Sequence, residues 1–60
     1  MNPTSTKKQA EDKVREYHRS LVFDMDCALS YEEESNFRSA IEAVEETLSL
    51  LEIKIEGVNA

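Results

Sequence analysis

The sequence predicts an all-α fold, an antiparallel two-helix hairpin that dimerises into a four-helix bundle. Glycine and proline occur once each in 60 residues, both near the ends, whereas a small all-β domain needs frequent turns. Apolar residues recur at alternating spacings of four and three in two long stretches, which is typical of amphipathic helices. A chain this short buries little surface and its single cysteine excludes an internal disulfide, so we expect self-association to add stability.

The first helix is predicted over residues 7–34, after a flexible N-terminal arm of residues 1–6. Thr6 and Gln9 form a capping-box pattern at its start. Asp24 occupies one slot of its stripe, where a polar residue sets register at a cost in stability. The other slots hold apolar or small residues, namely Ala10, Val14, Tyr17, Leu21, Ala28 and Tyr31.

The second helix is predicted over residues 37–56, followed by a C-terminal tail of residues 57–60. Gly57 stands where a residue just after a helix end is expected. Every slot of this helix's stripe is apolar. Together with one residue of the first helix, the stripe is predicted to form the oligomer or partner seam: Leu21, Phe37, Ile41, Val44, Leu48, Leu51 and Ile55.

Two patterns compete for the turn between the helices. Ser35–Asn36 is favoured, because both residues are common in turns and the first stripe continues to Tyr31. The rival is a turn at Leu29–Ser30, since Ser30 and Glu33 form a second capping box. A single unbroken helix is a third option, because no glycine or proline forces a bend there.

Further apolar side chains lie outside the seam, and we expect them to form a second contact face: Phe23, Ala43, Leu50 and Ile53. Two hairpins that pack into a four-helix bundle would cover such a face. The alternative is that a widened stripe covers a single hairpin.

The net charge of −6 is unevenly distributed, with +2 over residues 1–20 and −8 over residues 21–60. In an antiparallel hairpin the basic residues of the first helix would face the acidic residues of 45–56, which favours that orientation. The turn end is predicted to carry either a solvated acidic surface or an acidic docking tip for a basic partner, formed by Asp24, Asp26, Glu32, Glu33 and Glu34.

The stretch Cys27-Ala28-x2-Tyr31-x3-Ser35-Asn36-Phe37-x2-Ala40-Ile41-x2-Val44-x2-Thr47-Leu48 resembles one tetratricopeptide repeat, over residues 27–50. The resemblance implies a packed helical hairpin that turns at Ser35–Asn36, with Tyr31 packed against Phe37. Ser35 replaces the family's usual glycine, and the closing proline is absent. Because one repeat cannot stand alone, the family's groove-binding function does not carry over.

We expect no enzyme, no cofactor and no metal site. The sequence has no Gly-rich phosphate loop and no Cys/His cluster. The run from Leu21 to Asp26 looks like the first motif of the haloacid dehalogenase phosphatases, but that fold needs a much longer chain. An EF-hand loop counted from Asp24 would need glycine and glutamate where Leu29 and Ser35 stand.

The function expected from these features is that of a small acidic regulatory or adaptor protein of the inhibitor, antitoxin or anti-repressor type. It would contact itself and another protein, but no membrane. The single thiol and the lack of a hydrophobic leader favour the cytoplasm. One alternative is an RNA-binding hairpin dimer, similar to plasmid copy-control proteins, using Lys8, Arg15 and Arg19; another is a subunit ordered within a larger assembly. Acidic net charge is unfavourable for nucleic-acid binding.

Overall fold

The computed structural model describes residues 3–60, and the side chains of residues 6–60. It contains two helices, α1 (Pro3–Asp26) and α2 (Tyr31–Leu50). A four-residue connection lets them fold back on each other and pack along their length. The predicted all-α helical hairpin is therefore confirmed, with no strand over residues 3–60.

The first helix begins earlier than predicted. Pro3 is its first described residue, and proline suits the first turn of a helix because the N–H it lacks has no partner there. Thr6 therefore lies inside the helix, so its predicted capping role is wrong. Residues 3–6, predicted as part of the arm, are helical, and residues 1 and 2 lie outside the described residues.

The turn lies at residues 27–30, so the favoured position at Ser35–Asn36 is wrong and the rival position is correct. Ser30 has extended backbone angles (φ −139°, ψ 158°), and its hydroxyl oxygen accepts a hydrogen bond from the Glu33 N–H at 3.1 Å. Acidic residues fill the first turn of α2, where they are stabilised by the positive end of the helix dipole. The capping box outcompetes the continued apolar stripe, and α1 ends at Asp26 rather than at residue 34.

The second helix ends at Leu50, not at residue 56 as predicted. The Glu52 N–H donates to the Ser49 carbonyl at 3.0 Å, and the Ile53 N–H donates to the Leu48 carbonyl at 2.9 Å. These two bonds form a Schellman motif. Its left-handed residue is Glu52, with φ 58°, so the position expected for Gly57 is taken by a glutamate.

The C-terminal segment, residues 51–60, turns back against α1 instead of trailing as a tail. Asn59 closes it with two side-chain bonds: Oδ1 accepts from the Ile55 N–H and Nδ2 donates to the Ile53 carbonyl, both at 2.8 Å. Arg15 Nε donates to the Glu56 carbonyl at 3.0 Å. Gly57 supplies its positive φ of 89° within this turn.

Burial explains why α2 stops where it does. Near its start, α1 offers only Ala10 and Val14 as apolar partners, and a continued straight helix would present isoleucine and leucine to lysines and glutamates. By folding back, the chain buries Ile55 to 1% exposure. Ile55 shares a small apolar cavity of about 170 Å³ with Ala10, Val14 and Leu48.

The core is thin, and the molecule is elongated. Among the described residues four hydrophobic side chains are buried, namely Leu21, Ile41, Leu48 and Ile55. The molecule measures 44 × 21 × 15 Å. In so thin a molecule, the side chains along the broad faces of the hairpin stay accessible to solvent unless another segment or molecule packs on them.

Candidate protein-contact surface

An open apolar groove runs along one side of the hairpin, between α1 and α2. Its volume is about 530 Å³. Tyr17 forms the wall on the α1 side and is 56% exposed. The other lining residues, mostly apolar, are Lys13, Val14, Ala40, Ala43, Val44, Thr47 and Leu48. We call this surface the groove face.

The sequence makes the groove through small residues on α2. Ala40, Ala43 and Thr47 recur at spacings of three and four, so they lie on one side of the helix. None of them is long enough to reach across to α1. The depression that results lets the backbone of another helix come close, since the distance between packed helices depends on the side chains at the contact.

The opposite side of the hairpin is partly covered by the C-terminal segment. Gly57 of the C-terminal segment lies beside Arg15, His18, Arg19 and Val22 of α1. His18 Nε2 lies 3.4 Å from Glu45 Oε2, which joins the two helices on this side. The hairpin thus has an open cleft of about 250 Å³ on this side and the larger groove face, of about 530 Å³, on the other.

The predicted seam is only partly buried. Leu21, Ile41, Leu48 and Ile55 are buried, while Phe37 and Val44 are intermediate. Leu51 is 62% exposed, because α2 ends before it and the chain turns away. The apolar spacing therefore identified the inner side of α2 correctly. It extended the helix by two positions of the stripe, Leu51 and Ile55, beyond its end at Leu50.

The predicted second contact face is not one continuous surface. Ala43 lines the groove face, whereas Ile53 lines the small cavity beside Ile55. Phe23 is 66% exposed and follows buried Leu21 by two residues, so it points away from α2. Leu50 is also exposed, on the outer side of α2.

The predicted acidic tip does come together, because the turn at residues 27–30 brings the end of α1 beside the start of α2. Asp24 and Asp26 lie in the last turn of α1, and residues 32–34 lie in the first turn of α2. Glu34 is partly neutralised by Arg38, whose Nη2 lies 2.7 Å from Glu34 Oε1. The acidic groups lie at the turn end, outside the groove face.

The expected pairing of basic α1 side chains with acids of 45–56 is largely absent. Arg15 pairs within its own helix, with Nη1 2.6 Å from Asp12 Oδ1. Of the close contacts between basic and acidic side chains of the described residues, His18–Glu45 alone links the two helices. Arg15 is thus engaged by Asp12 and by the Glu56 carbonyl, which leaves Lys8 and Arg19 of the three residues considered for RNA contact.

Over the described residues, the phosphatase-like and metal-binding motifs considered in the sequence do not form a site. Asp24 and Asp26 lie on a helix rather than after a strand. Within the described side chains no three His, Cys, Asp or Glu groups converge as metal ligands.

Tyr31 is the first residue of α2 and 80% exposed, so it does not pack at a helix junction against Phe37. Neither helix, over the residues described, is long and apolar enough to cross a bilayer.

Sequence reasoning missed the asymmetry between the two sides of the hairpin. Gly57 and Asn59 were the available signal, because both residue types favour turns and both follow a seam residue, Ile55. Comparison with protein-family models, with curated proteins and with solved structures finds no significant match to this chain.

Proposed function

We propose that this protein is a small acidic regulatory or adaptor protein that acts through helix–helix contacts and not by catalysis. Its groove face packs against the groove face of a second copy, giving a homodimeric four-helix bundle. The observation that carries the proposal is the open apolar groove between α1 and α2, whose lining includes no residue of the C-terminal segment.

The exposed area matches what a dimer would bury. A folded chain of 6.9 kDa is expected to expose about 4,000 Å². This chain exposes 4860 Å². The excess is about the 800 Å² per partner that a standard protein–protein interface covers.

The thin core points the same way. A chain of about 60 residues has a small margin between burial and conformational entropy. Here the core of the described residues holds four buried side chains. Covering Tyr17 and the half-buried Val44 in an interface would add apolar burial on the side where the monomer lacks it.

The acidic turn end would remain exposed in such a dimer, because it lies outside the groove face. A concentrated negative surface steers association towards basic partners and repels acidic ones. This supports an adaptor that meets a basic protein surface.

Sedimentation equilibrium of the full chain tests the proposal. We expect a mass of about twice 6.9 kDa. The two exposed tyrosines provide a matched pair: Tyr17→Ala should weaken the dimer at least about tenfold, as buried interface aromatics do, while Tyr31→Ala should leave it unchanged. A chain that stays monomeric and helical at the highest accessible concentration would refute the dimer.

Two other outcomes separate the alternatives. Tight binding to duplex or loop RNA at ~50 mM salt, where phosphate contacts are strongest, would favour the RNA-binding hairpin. A monomer whose circular dichroism shows little helix would instead favour a subunit that orders only within a larger assembly.

A further inference from the structure

We infer that the open cleft opposite the groove face binds a phosphate group, either free phosphate or the phosphate of a small monoester. The inference goes beyond the proposed dimer, because the cleft and the groove face share no lining residue. The cleft would stay accessible when two groove faces pack together.

The cleft concentrates basic side chains in a chain that is acidic overall. Its volume is about 250 Å³, and its lining residues are Arg15, His18, Arg19, Val22 and Gly57. No acidic side chain of the described residues lines it, although the chain has 13 acidic residues against seven lysines and arginines. An anion in the cleft therefore meets positive charge at the closest range.

The two arginines of the cleft are held differently. Arg15 is fixed in place, since its Nε donates to the Glu56 carbonyl and its Nη1 pairs with Asp12. Arg19 is exposed, and it has no acidic partner among the described side chains. Because the two arginines are four residues apart, they lie on the same side of α1. One guanidinium is thus positioned in advance, and the other is free to close on a ligand.

The charge of this pair favours phosphate over a carboxylate. Guanidinium groups bind oxyanions through paired N–H donors, and two like charges four residues apart on a helix repel each other. A phosphate monoester carries a charge of about −1.5 to −2 at neutral pH, so one phosphate group balances both arginines, whereas one carboxylate balances a single arginine. Val22 provides an apolar wall on which the organic part of an ester can pack.

His18 and Gly57 form the rest of the boundary. The His18 side chain is 13% exposed, and its Nε2 lies 3.4 Å from Glu45 Oε2, so Glu45 holds the ring from the side of α2 without lining the cleft. At Gly57 an added Cβ would lie 3.8 Å from Arg15 Nε. The glycine thus leaves open the space beside that guanidinium.

Titration of the isotope-labelled full chain with inorganic phosphate, followed by two-dimensional NMR at fixed pH and ionic strength, tests the site. We expect saturable shifts at the amides of His18, Arg19 and Gly57. The dissociation constant should be on the order of 1 mM, because the net charge of −6 opposes the approach of an anion. Acetate should bind at least about fivefold more weakly, since it carries less charge. No saturation at ~50 mM phosphate, or equal affinity for acetate, would overturn the inference.

Phenyl phosphate distinguishes the two sources of the phosphate group. Tighter binding than inorganic phosphate identifies an ester, whose ring packs on Val22. Equal or weaker binding identifies free phosphate. Either result, with the shifts confined to the cleft, supports the site, whereas shifts spread evenly over the chain would overturn it.

Two exposed arginines provide matched variants. Arg19→Ala should raise the dissociation constant for phosphate at least about fivefold, because it removes one of the two guanidiniums that bind the anion. Arg38→Ala removes the same charge from α2, where Arg38 pairs with Glu34, and should change the constant less than about twofold. Equal weakening in both variants would show an effect of net charge alone and would overturn the site.

A single-stranded RNA oligomer at the same ionic strength tests the other class of phosphate ligand. RNA that binds more tightly than phenyl phosphate, and loses that affinity in Arg19→Ala, would make the cleft a nucleic-acid contact and overturn the assignment to a small ligand. RNA that binds no more tightly, or whose binding is insensitive to Arg19→Ala, supports the assignment.

Discussion

Arg15 holds the end of the chain: its Nε donates to the carbonyl oxygen of Glu56 at 3.0 Å, across 41 positions of sequence. The side chain that makes this bond lies between Asp12, its ion-pair partner at 2.6 Å, and Gly57, where an added Cβ would lie 3.8 Å from the same Nε. Arg15 thereby links α1 to the C-terminal segment on the side of the hairpin opposite the groove face. The fold is a hairpin with a third packed piece.

Ile55→Ala should destabilise the fold more than any other single truncation in the C-terminal segment. Ile55 is the most buried side chain described, and removing such a group costs about 2–5 kcal/mol through lost burial and the cavity left behind. Ile53→Ala, at an exposed neighbour in the same segment, should cost less than half as much. Urea denaturation at a fixed protein concentration measures both. Equal losses would mean that the segment does not pack as described.

Glu52→Gly should stabilise the protein. Glu52 has a φ of 58°, and a side chain in the left-handed region costs about 1–2 kcal/mol, partly offset by the extra freedom glycine gives the unfolded chain. We expect a net gain of about 0.5–1 kcal/mol in unfolding free energy. The converse change, Gly57→Ala, should lose a similar amount, because φ is 89° although the added Cβ meets Arg15 only at ordinary contact distance. A loss of stability in Glu52→Gly would contradict the Schellman end of α2, and a gain in Gly57→Ala would contradict the turn at Gly57.

Ser30→Ala tests the position of the turn. Losing the bond from the Glu33 N–H to the Ser30 hydroxyl should cost about 1 kcal/mol, the usual effect of removing an N-cap. Ser35→Ala is the control, since Ser35 lies inside α2, where alanine is the better helix former. Thermal melts of both variants give the comparison. A turn at Ser35–Asn36 would reverse the order of the two effects.

These residues show which parts of the fold can be predicted from the sequence and which cannot. The hairpin was predictable because the 4-3 spacing marks the inner side of each helix, and Ile41 and Leu48 are indeed buried. The end of α2 was not, since Ile55 fits the next seam slot in a straight helix and also fits the cavity beside Val14 when the chain turns back. Local spacing cannot distinguish these two routes to burial. The turn was ambiguous for a similar reason, because a capping bond at Ser30 competes with an apolar stripe of comparable strength.

The groove face could be predicted only in part from the spacing of apolar residues. Ala43 was identified as lying outside the seam, and it lines the groove face. The side of the hairpin on which the C-terminal segment packs could not be predicted, because long-range tertiary contacts decide the path of that segment. Phe23 and Leu50 were grouped with Ala43 by hydrophobicity alone, and they point elsewhere.

Ala43→Gln should separate folding from assembly. Ala43 is exposed in the single chain and lines an open groove, so a longer side chain there can extend into solvent and helicity should be unchanged. In the proposed dimer it lies within the interface, where overpacking costs about 1–3 kcal/mol, and we expect the dissociation constant to rise at least about tenfold. Glu42→Gln puts the same side chain at the adjacent exposed position, about 100° round the helix, and should leave the dimer intact. Sedimentation reports assembly and circular dichroism reports helix content. Loss of the dimer in both variants, or in neither, would show that the groove face is not the contact surface.

By contrast, Leu48→Asp should abolish helix and dimer together, because Leu48 is buried in the single chain and an unpaired charge there is strongly disfavoured.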